Sequence, residues 1–275
     1  MTVRLISSFV GIAVALLVLF LNQTFLFPLA LACVIGIILS ELAKAVDGMQ
    51  FRIAFTGMLL YGIITPFLEF YNVQAYLPLM QFLCLMLIFI EFLHKSKTFH
   101  VEQIAFMILS AVLVSRSLSM VITLKQADDH GMLYVLLALC GGWIADSGAY
   151  FAGVYLGKHK LCPQISPKKT VEGFLGGVIA NMVVFGLICL VYALIRRAGG
   201  MDLQVNYFAA CMLGAVCAVI SVAGDLSASV VKRQKGIKDY GTIMPGHGGL
   251  MDRFDSVLFV VPALYGFLTL FSIFE

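Results

Sequence analysis

The chain is a succession of apolar runs, each about 17–25 residues long, divided by short polar knots. That length carries a helix across a hydrocarbon core of about 30 Å. An unpaired backbone amide in lipid costs several kcal/mol, so each run is expected to be a helix. The alternating pattern of a membrane barrel strand is absent. The runs lie near 5–21, 25–43, 53–70, 76–93, 104–124, 132–156, 174–195, 207–231 and 254–274. Composition agrees: 61% of residues are hydrophobic and 12% charged, against roughly 25% charged in a soluble domain. The expected fold is an all-α polytopic membrane protein of about nine transmembrane helices. The first run is long for a signal peptide and no A-x-A-like site follows it, so it is expected to remain as a span.

The placement of positive charge sets an expected orientation. Of the 18 Lys and Arg, 14 fall at the N-terminus and in the even-numbered loops between spans, 3 fall in the odd-numbered loops, and Arg116 lies inside a span. Positive charge collects on the cytoplasmic side, which predicts a cytoplasmic N-terminus and an outward C-terminus. The loops 157–173 and 232–253 then face the cytoplasm. The spans up to about residue 130 are plain, so 1–130 is expected to be mainly scaffold. Polar residues within apolar runs and the two most basic loops fall in 131–275, where chemistry is expected. The seven cysteines form no CxxC or zinc spacing and read as small buried hydrophobes.

Three acids stand out. Asp146 sits within the sixth run, Asp225 within the eighth, and Asp252 just before the ninth. A carboxylate at helix depth costs a few kcal/mol and needs a cation or a water-filled cavity. Asp225, Ser229 and Lys232 are spaced i, i+4, i+7, which puts a carboxylate, a hydroxyl and an ammonium on one helical face. Separate carboxylates without histidine or thiol ligands suit a hard cation such as Mg²⁺. A structural ion pair, or snorkelling to the interface, is the other reading of these acids.

The basic loop 232–253 holds Lys232, Arg233, Lys235 and Lys238, then glycines at 246, 248 and 249 around His247, then Asp252 and Arg253. Basic side chains neutralise phosphate, and glycines let backbone amides approach an anion. Arg253 is suited to bidentate phosphate contact. The alternative is a juxtamembrane segment that only holds anionic headgroups. In the loop 157–173, Ser166 or Thr170 is expected to cap the next helix, with Pro167 in its first turn and Lys168 and Lys169 beside an anion site. No Walker phosphate loop occurs. Arg116 needs a partner the sequence does not name. Glu41 is expected to reach the interface, and Asn181 to form a helix–helix hydrogen bond.

The stretch Ser229-x-x-Lys232-Arg233-x4-Lys238-Asp239-x5-Pro245-x-His247-Gly248-Gly249-x-x-Asp252-Arg253-x-Asp255 resembles the signature of the phosphatidate cytidylyltransferases, or CDP-diacylglycerol synthases. Trp143-x-Ala145-Asp146-Ser147-Gly148-Ala149-Tyr150 and Ser166-Pro167-Lys168-Lys169-Thr170 resemble two further blocks of that family, and Arg4-Leu5-Ile6 and Glu41 fit as well. The resemblance implies attack of a phosphatidic acid oxygen on the α-phosphorus of CTP, giving CDP-diacylglycerol and pyrophosphate. It implies Mg²⁺ or Mn²⁺ held by Asp225 and Asp252 with Asp146 close by, and K⁺ beside the divalent ion. Lys232, Arg233, His247 and Arg253 would join these acids as catalytic residues. Ser166, Lys168, Lys169, Ser229, Lys238, Asp239, Gly248 and Gly249 would bind substrate. The resemblance also implies a homodimer, with no nucleic-acid partner. The compactness of the chain points to a bacterial inner membrane, with an organellar membrane as the alternative. A CTP-dependent enzyme of another lipid phosphate, and a transporter with intramembrane acids, are the competing classes.

Overall fold

Lipid leaves the backbone no partner but itself, and the apolar runs fold as helices. The structure, a computed structural model, describes residues 11, 13, 16–244 and 248–274. Among the described residues, 8 helical segments are long and apolar enough to cross a membrane. The chain is an all-α multi-pass membrane protein. Its helices are α1 (Leu26–Ala45), α2 (Arg52–Phe70), α3 (Leu77–His94), α4 (Val101–Gln126), α5 (Gly131–Leu156), α6 (Val171–Ala198), α7 (Tyr207–Gln234), the single turn α8 (Met251–Phe254) and α9 (Val257–Leu270). The first expected run, 5–21, lies mostly outside the described residues; its described stretch 16–20 is helical.

Two expectations change. The last run stops at Leu270 instead of 274. Beyond it the chain is extended: Phe274 bridges Val205, and the Asn206 amide donates to the Ile273 carbonyl at 2.8 Å. That pairing competes with helix for the same backbone groups. Between α5 and α6 the loop is a hairpin of β1 (Lys160–Cys162) and β2 (Ser166–Thr170). Pro167 therefore lies in a strand and not in the first helical turn, and Ser166 caps nothing. Thr170 is the cap, its hydroxyl accepting the Gly173 amide at 3.1 Å.

The residues divide into two compact units, 1–123 with 232–254 and 124–231 with 255–275. The first unit is less plain than its sequence. It buries three glutamates, and each finds partners. Glu91 on α3 accepts the Ala54 amide in the first turn of α2 at 2.7 Å and pairs with Lys95 at 3.0 Å. Glu69 on α2 takes Arg116 at 3.0 Å and the Thr123 hydroxyl at 3.1 Å, both from α4. Glu69 is thus the partner that Arg116 required. Glu41 on α1 is buried and does not reach an interface as expected; it accepts the amides of Leu250 at 3.0 Å and Met251 at 2.7 Å. Those amides open α8, so Glu41 satisfies donors that a helix start leaves unpaired.

In the second unit α5 packs along α6 through small residues. A Cβ on Gly177 would lie 2.6 Å from the Ala145 carbonyl oxygen, so the two backbones touch there. Such close approach is how membrane helices gain dispersion contact without a hydrophobic driving force. The expected Asn181 bond is present: its side-chain amide donates to the Gly214 carbonyl of α7 at 2.9 Å.

Candidate active site

The hairpin of the second unit is held at both ends. The Glu172 carboxylate accepts the amides of Lys158 at 3.1 Å and His159 at 3.2 Å, and pairs with the His159 ring at 2.6 Å. The Val171 amide donates back to the His159 carbonyl at 2.9 Å. Beside this hairpin lies a cavity of about 500 Å³, lined by Asp146, Tyr150 and Val154 of α5, by Lys160, Ser166, Lys168 and Lys169 of the hairpin, and by Phe174 of α6. Its size falls within the range of small-molecule sites, about 300–1,000 Å³. Lys169 forms an ion pair with Asp225 of α7, and Val222, one turn earlier on α7, also lines the cavity. The expected site residues Asp146, Ser166, Lys168 and Lys169 thus meet at one cavity, with Tyr150 and Thr170 of the same sequence blocks. Asp225 joins them through Lys169.

The long basic loop belongs to the first unit and is organised around Asp252. Its Oδ1 accepts the Lys232 ammonium at 2.7 Å. Its Oδ2 accepts the amides of Tyr240 at 2.9 Å and Gly249 at 3.0 Å. The Lys232 ammonium also stands 5.5 Å from the centre of the Tyr240 ring, within the distance of a cation–π contact. Gly249 has no room for a side chain: a Cβ there would lie 2.6 Å from Glu41 Oε1. Gly248 has φ +89°, where a side chain is strained, and its nearest neighbours include Asp239 and Asp252. The anion that meets the Gly249 amide is the chain's own Asp252.

Of the other expected residues, Arg233, Lys238, Asp239 and Arg253 are exposed, and Ser229 is half-buried on α7. Asp225, Ser229 and Lys232 all fall within the unbroken α7, as their spacing required. His247, with Pro245 and Gly246, lies outside the described residues, as do Arg4, Leu5 and Ile6. The pairing of Asp225 with Asp252 on one ion joins residues of different units and stays an expectation from the sequence. No group of three or more His, Cys, Asp or Glu able to hold a metal occurs among the described residues. The donors that are present are carboxylate oxygens, hard ligands that suit Mg²⁺, which takes one or two carboxylates and completes its shell with water and phosphate.

Residues 2–271 match the Cytidylyltransferase family. The chain belongs to that family. Among its relatives is a protein of Bacillus subtilis named phosphatidate cytidylyltransferase, 40% identical over 177 residues, which are 64% of this chain and 62% of the relative. A protein of the same name from Staphylococcus saprophyticus is 40% identical over 141 residues, 51% of each chain. Another from Staphylococcus haemolyticus is 41% identical over 136 residues, 50% of this chain and 49% of the relative. The chain therefore spans 62% of the Bacillus relative's length and about half that of the staphylococcal ones.

The sequence marked neither Lys160 nor Phe174 as a site residue, and it marked Tyr150 only as part of a family block, yet all three line the cavity. Lys160 counted only as one of the loop's positive charges. The signal that brings it in is the strand register, in which Lys160 stands opposite Thr170.

Proposed function

We propose that the chain is a phosphatidate cytidylyltransferase, converting CTP and phosphatidate to CDP-diacylglycerol and pyrophosphate. Family membership and the names of the relatives support the reaction. The observation that carries it is the cavity beside two membrane-crossing helices, where Lys168, Lys169 and Asp146 gather and Asp225 stands behind Lys169. A site for joining a lipid phosphate to a nucleotide needs cations beside apolar walls at membrane-crossing helices, and this cavity has both.

A phosphate oxygen of phosphatidate attacks the α-phosphorus of CTP. The bond from that phosphorus to the α–β bridging oxygen breaks, and pyrophosphate leaves with the electron pair. The nucleophile is already an anion, so no strong general base is needed. Such transfers depend on positioning and charge neutralisation more than on covalent help. Ser166, Lys168 and Lys169 hold phosphate oxygens on the hairpin side. Lys232, Arg233, Lys238, His247 and Arg253 neutralise triphosphate charge, with Ser229, Asp239, Gly248 and Gly249 shaping that loop. Asp225, Asp146 and Asp252 supply carboxylate oxygens for Mg²⁺ or Mn²⁺, with K⁺ as a second cation. When bound, the divalent ion supplies further neutralisation of the reacting phosphates. The enzyme works as a homodimer in a bacterial inner membrane, with its N-terminus and active site on the cytoplasmic side. The concentration of Lys and Arg in alternate loops supports that orientation, and the bacterial relatives support a bacterial membrane.

The test is pyrophosphate release by the purified protein in detergent micelles, offered CTP with phosphatidate, with a polyprenyl phosphate or with a lipid alcohol. Release that requires both CTP and phosphatidate is expected. Release with another lipid but none with phosphatidate would overturn the substrate, and no nucleotide turnover with any lipid would overturn the enzyme.

A further inference from the structure

We propose that the cavity of the second unit takes the phosphate end of the lipid, not the nucleotide, and that Lys160 is a phosphate contact in it. This rests on the phosphatidate reading above and assigns one of its two substrates to one place.

Volume alone admits either substrate, so the walls must decide. The polar groups that line the cavity are concentrated on the hairpin: Lys160, Lys168 and Lys169, with the hydroxyls of Ser166 and Thr170. The Thr170 hydroxyl is committed to the Gly173 amide. Lys169 is paired with Asp225. Among the described residues no carboxylate forms an ion pair with Lys160 or Lys168. Two ammonium groups thus line one cavity in which Asp146 is the one lining carboxylate, and the lining side chains carry a net positive charge. A phosphate monoester carries close to two negative charges near pH 7, which matches that pair.

On α5 the lining runs from Asp146 to Tyr150 and the apolar Val154. Tyr150 and Val154 lie one turn apart on α5 and are 67% and 61% exposed. Their neighbours Phe151 and Tyr155 are 60% and 81% exposed on the same membrane-crossing helix. In a bilayer such side chains meet lipid, with Tyr suited to the headgroup level. A phosphate joined to glycerol and acyl chains fits a cavity with ammonium groups from the hairpin and lipid-facing side chains from α5. A cytosine ring asks instead for matched donors and acceptors along its edge, and Asp146 is the sole carboxylate among the lining side chains.

The hairpin register makes Lys160 part of this set. Lys160 is directly opposite Thr170, and opposed residues of antiparallel strands project on one face. That register turns a residue six positions before Ser166 into a neighbour of the Ser-Pro-Lys-Lys-Thr stretch.

The experiment uses full-length protein in mixed micelles, with Lys160→Ala, Lys160→Glu and Lys160→Arg. Loss of one charge-assisted phosphate contact is expected to raise KM for phosphatidate about ten-fold in Lys160→Ala. The rise is larger in Lys160→Glu, and Lys160→Arg restores the wild-type value. KM for CTP stays within two-fold throughout, roughly the noise of such comparisons. A rise in KM for CTP with that for phosphatidate unchanged would assign the cavity to the nucleotide. No change in either would remove Lys160 from both sites.

Labelling with phosphatidate that carries a photoreactive acyl chain gives a readout independent of turnover. Labelling of peptides from residues 146–156 is expected to be suppressed by unlabelled phosphatidate and not by phosphatidylcholine or CTP. Such labelling in a protein without CTP turnover would sink the enzyme reading and leave this site standing. Turnover with labelling that phosphatidylcholine suppresses equally would sink this proposal alone.

Discussion

Asp225 and Asp252 each face a lysine, yet the Asp225 side chain is 26% exposed and that of Asp252 is 5% exposed. Their partners differ in the same way, with Lys169 at 23% and Lys232 at 15%. Asp225 has Lys169 as its partner at the edge of a cavity. Asp252 uses both oxygens within its own loop, for an ammonium and two backbone amides. The same two residue types therefore serve two ends. One pair is placed to exchange its partner for another cation or for phosphate. The other holds a loop in shape, and a metal at Asp252 would have to share or replace Lys232 on Oδ1.

The sharpest way to break this comparison is Asp252→Ala. It leaves Lys232 without its acceptor and frees the amides of Tyr240 and Gly249. Removing one partner of a buried pair costs about 3 kcal/mol or more. Thermal unfolding in detergent should move to lower temperature, with faster tryptic cleavage after Lys235 and Lys238. An Asp252→Ala protein as stable as the parent would show that the pair holds nothing.

Asp225→Asn should leave the fold intact. Activity is expected to fall roughly 100- to 1,000-fold, the scale of losing one electrostatic contact to reacting groups. The thermal transition and the size-exclusion profile should stay at wild-type values. Loss of both activity and folding would erase the distinction between the two pairs.

The first unit offers a control far from either aspartate in sequence. Glu69→Gln leaves Arg116 with a neutral partner and is expected to cost about 1–3 kcal/mol. The double variant Glu69→Leu with Arg116→Met should recover most of that loss, because apolar replacement of a whole buried pair is often neutral. A double variant less stable than Glu69→Gln would contradict this account of the pair.

The smallest effect belongs to the hairpin. Thr170→Ala removes the cap of α6 and should cost about 1 kcal/mol, with Thr170→Ser close to wild type. Hydrogen exchange of the amides at 171–175 would register it.

What the sequence made legible follows from how each signal is carried. The spans are legible because lipid allows no alternative to helix for a long apolar run; the run at 132–156 differs by one residue from Gly131–Leu156. The line from Asp225 through Ser229 to Lys232 is legible because helical spacing needs no tertiary information. The hairpin is not, because strands of three and five residues built from Lys, Ser and Pro show no apolar alternation. Lys160 enters the site through register, which spacing does not encode. The buried glutamates fail for another reason. Arg116 announces that it needs a partner, but its partner is 47 residues away. Glu41 looks interfacial because the amides it satisfies lie 209 and 210 residues further on.

The most direct measurement is transfer of label from α-phosphate-labelled CTP into organic-soluble product by the purified protein. The account predicts labelled CDP-diacylglycerol from wild type only when phosphatidate is present, and at most about one part in 100 of that rate from folded Asp225→Asn. Lipid-soluble label formed equally fast by Asp225→Asn, or formed without phosphatidate, would contradict it.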